Sequence, residues 1–357
     1  MKRIIYVGEN YRAVTEDGML TEYIPVDSSD QYGVILLGKT DRLMPGIQSA
    51  FVDIGRKKDG FLPLDENSGS FTGKSVKSGE WYILQIKKEE TGNKGAYLTR
   101  DVTIPGKYII LMPMNRYIGV SSKISDEMVR GKMRRYGENI AAGQYGLILR
   151  NAAAEANEDE IREEASELYT LWKETEQKAY TDRKPGKVLY SSDPTERLKE
   201  DYAADGIDEI IRTDQTDSGI LKQLRQCMER TIHLPGGGNI VIDKCEAMTV
   251  IDVNTASSVQ HESKEKTILE TNLEACRVIV QQVRLRNLNG IIVIDFIDMD
   301  KETDRNEVAC ELKELFRHDR IKTVIHGWTS LGLMEITRKR TRQSVLCRTD
   351  IQEEEEK

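Results

Sequence analysis

"AMTVIDVNTAS", residues 247–257, and "IIVIDFIDM", residues 291–299, each carry an apolar run that places carboxylates at or near its end. Between them lies "KTILETNLEACRVIVQQVRLRNL", whose apolar residues recur at helical spacing. A strand, an amphipathic helix and a second apolar strand suggest a crossover unit in an α/β layer. Asp252 and Asn254 stand two apart on the first strand and therefore share a face. Asp298 ends the second strand, three residues after Asp295. Loops beyond strand ends in open α/β sheets are where sites form.

Two carboxylates brought together repel, and each raises the other's pKa unless a cation sits between them. Aspartate oxygens suit Mg²⁺ or Mn²⁺, and Mg²⁺ commonly takes one or two carboxylates with waters and substrate phosphate. An uncharged Asn254 fixes a carboxylate or meets a phosphate oxygen without altering that balance. The other reading is that Asp252 and Asp298 cap strands and accept backbone hydrogen bonds. Asp243 and Asp295 occur in similar contexts, so spacing alone leaves both readings open.

Working outward, the α/β pattern starts at Asn239. It continues through a helix at "DRNEVACELKELFRHD", a strand at "IKTVIHGW" and an expected final helix at "LMEITRKRTRQS". Residues 33–113 read as all-β, with short apolar runs separated by Pro45-Gly46, "SGSFTGKS" and Pro105-Gly106, the pattern of a small barrel. Residues 1–30 read as a strand pair turning at Asp17-Gly18. A helical period takes over at "NEDEIREEASELYTLWKETEQKAY". Asp193 is placed as an N-cap with Pro194 behind it, and a further helix is expected at "GILKQLRQCMERTI".

The 357 residues exceed one ordinary core and imply several domains. No apolar run approaches the ~20 residues of a membrane helix, and "MKRIIYVGEN" does not read as a signal peptide. A cytoplasmic location is expected by default. Five cysteines with wide spacing and no CxxC signal neither a disulfide framework nor a zinc ribbon. Net charge is −8, but "RGKMRRYG" and "RKRTRQ" are locally basic, and local patches decide nucleic-acid binding.

"GGNIVIDKCEAMTVIDVNTAS", "TNLEACRVIVQQVRLRNLNGIIVIDFIDM" and "SLGLMEITRKRTRQSV" resemble the DNase I-like catalytic segment of the ribonuclease E/G family. "GKTDRLMPGIQSAFVDIGRKKDGFLP" and "TGNKGAYLT" resemble its S1 domain. The resemblance covers most of residues 1–345. It implies an α+β multidomain fold. An S1 barrel of OB type (33–113) is inserted in a reduced RNase H-like subdomain (1–32 with 200–231). A 5′-sensor-like segment with helices (114–199), a DNase I-like catalytic domain (232–345) and an acidic tail (346–357) follow.

It also implies a Mg²⁺-dependent endoribonuclease, with Mn²⁺ as a substitute, that cuts single-stranded RNA to 5′-phosphate and 3′-hydroxyl ends in rRNA processing or mRNA decay. The matching catalytic positions are Asp252, Asn254 and Asp298, of which Asp252 and Asp298 hold the metal. Phe51 and Phe61 match the base-stacking aromatics of the barrel, and Lys94 a phosphate contact. Read without the resemblance, the two Phe residues are expected in the barrel core. "MNRYIGVSSK" and "YGLILRNAA" resemble the loops of a pocket for a 5′-monophosphate, which assigns Gly119, Val120, Arg150 and Asn151 to it. Asn151 stands where well-known members carry Thr.

The family's CPxCxGxG zinc-link is not matched, since Cys347 stands alone in "VLCRTD", and the small C-terminal domain is not matched either. No zinc is therefore expected, and any homo-oligomer is expected to form without a zinc bridge. The alternative is an S1-type RNA-binding protein with weak or no cleavage. The retained trio Asp252, Asn254 and Asp298 favours the enzyme.

Overall fold

The computed structural model describes residues 1–26, 31–64, 72–90, 94–213, 218–255 and 264–340. The chain forms two compact units, Met1–Asp27 with Ile207–Lys357, and Ser28–Gly206.

The first unit opens with an antiparallel meander of β1 (Arg3–Val7), β2 (Tyr11–Glu16) and β3 (Met19–Pro25). Asp17 and Gly18 turn β2 into β3 with φ of +50° and +82°. Positive φ at both central residues is the two-residue hairpin turn whose twist matches the strands. The segment expected as a strand pair therefore holds three strands, because β1 needs its own return at residues 8–10.

The second unit contains β4 (Ile35–Met44), β5 (Ser49–Asp53), β6 (Gly60–Pro63), β7 (Trp81–Lys88) and β8 (Tyr97–Thr99). They pair in the order β4-β5-β6-β8-β7, and β7 pairs back onto β4. This closes a five-stranded barrel of OB type. Alternate residues fill it: Leu36, Ala50, Val52, Leu62, Leu84, Ile86 and Leu98 are all buried.

The remaining strands of this unit build a separate layer. β9 (Ile104–Pro105), β10 (Ile109–Met112), β11 (Ile118–Val120) and β12 (Gly146–Leu149) pair in the order β11-β12-β10-β9. Helices α1 (Glu127–Ala141) and α2 (Glu158–Tyr180) pack on it through Met133, Ile140, Ile161, Ala165 and Trp172. The basic segment "RGKMRRYG" lies on α1. Its buried face is only Met133, Gly137, Ile140 and Ala141, too sparse a stripe to read as a helix from sequence. Asn157 and Glu160 form a capping box that starts α2. β13 (Val188–Tyr190) pairs with β4 of the barrel. α3 (Pro194–Asp201) starts as expected, with the Asp193 carboxylate accepting from the N–H groups of Thr195 and Glu196.

The chain then returns to the first unit. β14 (Glu209–Arg212) pairs in parallel with β1. α4 (Ser218–Met228) sets Ile220 and Leu224 against Tyr11, Ala13 and Leu20. A six-stranded sheet follows, built from β15 (Thr231–His233), β16 (Asn239–Lys244), β17 (Met248–Asn254), β18 (Gly290–Asp295), β19 (Thr323–Trp328) and β20 (Met334–Arg338). Its order is β15-β16-β17-β18-β20-β19. Only β17 and β18 pair in parallel, and helix α5 (Lys264–Leu285) is their crossover. Helix α6 (Glu302–Phe316) joins β18 to β19.

Both helices lie on one face, over Ile251, Val253, Ile292 and Ile294. The strands are thus apolar on one side, and the opposite face is open, with Met248, Ile291 and Val324 exposed. Where a final helix is expected over 333–344, residues 334–338 form strand β20 instead, and 341–344 lie outside the described residues. Met334, Ile336 and Arg338 are buried at a period of two, while Glu335 and Thr337 alternate with them. The pull comes from tertiary partners: the Arg338 guanidinium is held by Asp319 at 2.7 Å and by the Leu288 carbonyl at 3.0 Å.

A buried ion network ties the meander to α5 within this unit. Arg3 and Arg284 both grip Glu16 at 2.8 Å, and Arg320 grips Glu22 at 2.6 Å. Burial raises the Glu16 carboxyl, but the hydrogen bonds and charges of Arg284 and Arg3 outweigh it and hold the group below its usual range. Among the described residues no helix is long and apolar enough to cross a membrane.

Candidate active site

The parallel pair β17–β18 sets the frame. Thr249, Ile251 and Val253 face inward, so Asp252 and Asn254 face the open side of the sheet. Asp252 lies opposite Asp295 in the β17–β18 register. Asn254 donates from Nδ2 to Asp252 Oδ2 at 2.9 Å, and more weakly to Asn239 Oδ1 at 3.4 Å. Asp298 follows three residues after Asp295, exposed, on the loop beyond β18.

That loop is not free to wander. Asn272, fully buried on α5, donates from Nδ2 to the Ile297 carbonyl at 2.9 Å and accepts from the Ile297 N–H at 3.1 Å. Arg305 on α6 donates to the Met299 carbonyl at 2.9 Å. The backbone is therefore clamped to the helices beneath at Ile297 and Met299, the residues on either side of Asp298.

The carboxylates sense one another. The Asp295 carboxyl is raised above its usual range by burial first, then by the charges of Asp252 and Asp298. Asp243, in a similar sequence context, behaves differently. Arg230 grips both its oxygens at 2.6 and 2.7 Å, and that contact lowers its carboxyl. Geometry thus separates two aspartates that spacing could not: Asp243 is neutralised by a partner, and Asp295 belongs to the acidic group.

In the second unit, the β11–β12 pairing sets Val120 opposite Leu149 and Gly119 opposite Ile148. This brings Gly119 and Val120 beside Arg150 and Asn151, which follow β12. The guanidinium of Arg150 is already engaged, at 2.7 Å with Asp201 Oδ1 and 2.7 Å with the Gly106 carbonyl. The turn that presents Gly106 is itself fixed. The Glu164 carboxylate accepts from the backbone N–H groups of Lys107, Tyr108 and Ile109 at 2.6, 2.8 and 2.9 Å.

On the barrel, Phe51 and Phe61 are register partners on β5 and β6. Ala50, Val52 and Leu62 fill the core, and the two Phe rings lie on the outer surface, 6.2 Å apart and edge to face. Lys94 is exposed just before β8.

Residues 103–218 and 215–341 match the ribonuclease E/G family model. Ribonuclease G of Haemophilus influenzae is 34% identical over 94% of this chain and 79% of its own length. Ribonuclease G of Escherichia coli K12 is 32% identical over 93% of this chain and 78% of its own. Ribonuclease E of Nostoc is 30% identical over 97% of this chain and 57% of its own. The chain belongs to the ribonuclease E/G family.

For this family member, the fit of a divalent cation to the acidic group is a matter of donor chemistry. Asp252 and Asp298 are hard oxygen donors, and their charges raise the neighbouring Asp295. Crowded carboxylates of this kind gain from a cation between them. Among the described residues no three His, Cys, Asp or Glu side chains converge as a ready-made cage. Cys347, the residue nearest the unmatched zinc-link, lies outside the described residues.

Among the supporting groups that the sequence of this ribonuclease E/G member does not single out are Asn272 and Asp201. Asn272 had a signal: a polar residue on the buried stripe of an amphipathic helix must find partners for both amide ends. Asp201 had none, because its contact with Arg150 spans 51 residues.

Proposed function

We propose that this protein is a metal-dependent endoribonuclease, cutting single-stranded RNA to 5′-phosphate and 3′-hydroxyl ends in rRNA processing or mRNA decay. The observation that carries this reading is the acidic group at the ends of β17 and β18, where Asn254 orients Asp252 at 2.9 Å and charge from Asp252 and Asp298 raises Asp295. We read the six-stranded sheet with α5 and α6 as the DNase I-like catalytic domain. The β14-β1-β2-β3 sheet with α4 is read as a reduced RNase H-like subdomain.

In this reading Asp252 and Asp298 hold Mg²⁺. When bound, the ion supplies Lewis acidity to the scissile phosphate and a water acidic enough to attack in line. Asn254 fixes the Asp252 carboxylate through its amide N–H and adds no charge to an already acidic group. Asn272 and Arg305 hold the Asp298 loop, so that carboxylate meets its ligand without first ordering the backbone. The open face of the sheet leaves room for an extended RNA strand.

The other assigned residues serve RNA capture. Phe51 and Phe61 offer faces for bases, and Lys94 a contact for phosphate. Gly119, Val120, Arg150 and Asn151 form the pocket for a 5′-monophosphate, with Arg150 suited to paired hydrogen bonds with phosphate oxygens. Relatives named ribonuclease G and ribonuclease E support the assignment. Cleavage of a 5′-labelled, A/U-rich RNA oligomer in Mg²⁺, mapped for end chemistry, tests it. Products with 5′-phosphate and 3′-hydroxyl ends support it, and binding with the RNA left intact supports the S1-type binding protein instead.

A further inference from the structure

Tyr97 opens β8 and lies opposite Phe61 in the register of β6 and β8. Its ring centroid is 5.9 Å from that of Phe61, which is 6.2 Å from that of Phe51. The three rings therefore run across three neighbouring strands, β5, β6 and β8. Their chain neighbours Ala50, Val52, Leu62, Ala96 and Leu98 face the barrel core, so alternation puts all three rings outside. Each ring is half-buried, with surface left to meet a ligand. A cation stands at either end of the row. The Arg42 guanidinium carbon is 5.3 Å from the Phe51 ring centroid, and Lys88 Nζ is 4.9 Å from that of Tyr97.

We infer that Phe51, Phe61 and Tyr97 form one continuous track for consecutive bases of single-stranded RNA, with Tyr97 the third stacking platform and Arg42 and Lys88 the phosphate contacts at its two ends. This rests on the barrel's reading as an RNA-binding module. Bases stacked in a helical strand advance about 3.4 Å per nucleotide. Rings spaced near 6 Å do not match that rise, so a strand lying along them must unstack its bases. An unpaired strand does so cheaply, and a duplex does not. Every base has a π-face, so the track tolerates any sequence. A base arriving on Tyr97 takes ring surface from the Lys88 ammonium, which moves outward to the adjoining phosphate. The exchange is favourable because a solvent-exposed cation–π contact is weaker than a base–aromatic stack.

The test measures binding of a fluorescent A/U-rich RNA decamer to the full-length chain by anisotropy, in EDTA, with RNA integrity checked afterwards. Tyr97→Ala is expected to weaken binding about 5-fold or more, the low end of one lost stack. Tyr97→Phe, which keeps the ring, is expected to bind like wild type. Lys88→Met is expected to lower the salt dependence of log K by about one phosphate contact. Phe61→Ala is the control, and thermal melts confirm that each variant folds. If Phe61→Ala weakens binding while Tyr97→Ala does not, the track ends at Phe61 and the inference is overturned alone. If Tyr97→Phe is as weak as Tyr97→Ala, the ring is not a stacking surface and the inference also fails. If neither Phe61→Ala nor Tyr97→Ala matters, the barrel itself is not the RNA-binding module.

Discussion

Asn254 donates a 2.9 Å hydrogen bond from Nδ2 to Oδ2 of Asp252, two residues earlier on the same strand. The pair shares the open face of the sheet because β-strand side chains alternate. An amide at this position orients a carboxylate without repelling it. Asn254→Ala removes the orientation and keeps both carboxylates. Losing such a supporting partner commonly costs about 10- to 100-fold in metal affinity or activity. The expected result is a fall of that size in kcat, with RNA affinity in EDTA unchanged. A steady-state comparison beside an anisotropy titration checks it.

Asn272 makes the matching prediction for the other carboxylate. It is buried on α5 and both donates to and accepts from the Ile297 backbone. Asn272→Leu fits the apolar surroundings but leaves two backbone groups unpaired, at about 1–3 kcal/mol for each buried group left unsatisfied. A lower melting temperature alone would describe a merely structural role. The positioning role adds a second readout: cleavage should need more Mg²⁺ to reach half-maximal rate, because Asp298 must be re-ordered on each binding event. Rates across a Mg²⁺ series, measured well below the melting temperature, separate the two.

Arg150 faces a competitor. Its guanidinium is held at 2.7 Å by Asp201 and at 2.7 Å by the Gly106 carbonyl. A phosphate that binds there must displace or share Asp201. Asp201→Asn removes the charge and keeps the shape. It is expected to increase the ratio of cleavage rates for 5′-monophosphate over 5′-hydroxyl RNA by several-fold, and Arg150→Lys is expected to reduce that ratio. Competition assays with the two RNAs in one tube give the ratio directly.

Glu200, next to Asp201, gives a pH dependence. Burial chiefly pushes its carboxyl up to about 7 from an ordinary 4.5; Arg150 opposes this, and Asp201, Glu164 and Glu196 add to it. One of its oxygens, Oε2, is buried with no hydrogen-bond partner among the described residues. A carboxyl raised on folding binds protons more tightly in the folded state than in the unfolded one. Stability from this group is therefore undiminished below about 4.5, falls as pH rises, and is lowest above about 7. Glu200→Gln should melt higher than wild type at pH 8, by about 2–4 °C if it recovers ~1 kcal/mol. The gap should close toward pH 5. Paired melts at the two pH values decide it.

Much of the fold was legible because its signals are local. The apolar runs of β17 and β18 with the amphipathic α5 between them marked the crossover, and Asp17-Gly18 and Asp193-Pro194 marked a hairpin and a helix start. What escaped depended on distant partners. β20 reads as a charged helix until Asp319, 19 residues away, accounts for the burial of Arg338. The same limit applies to the site. Asp243 and Asp295 look alike in sequence, and only the position of Arg230 tells them apart. Asp252, Asn254 and Asp298 are candidates from motif and resemblance, whereas the clamp from Asn272 is visible only once the helix is laid over the sheet.

The central claim is that the carboxylates at the ends of β17 and β18 hold a metal that cleaves RNA. Its most direct test is cleavage of a 5′-monophosphorylated, A/U-rich RNA oligomer in Mg²⁺, with wild type beside Asp298→Asn and with EDTA as control. The account predicts cleavage by wild type, loss of cleavage in EDTA, and a fall of several orders of magnitude in Asp298→Asn with RNA binding retained. Equal cleavage by the two proteins, or cleavage by wild type that persists in EDTA, would contradict it.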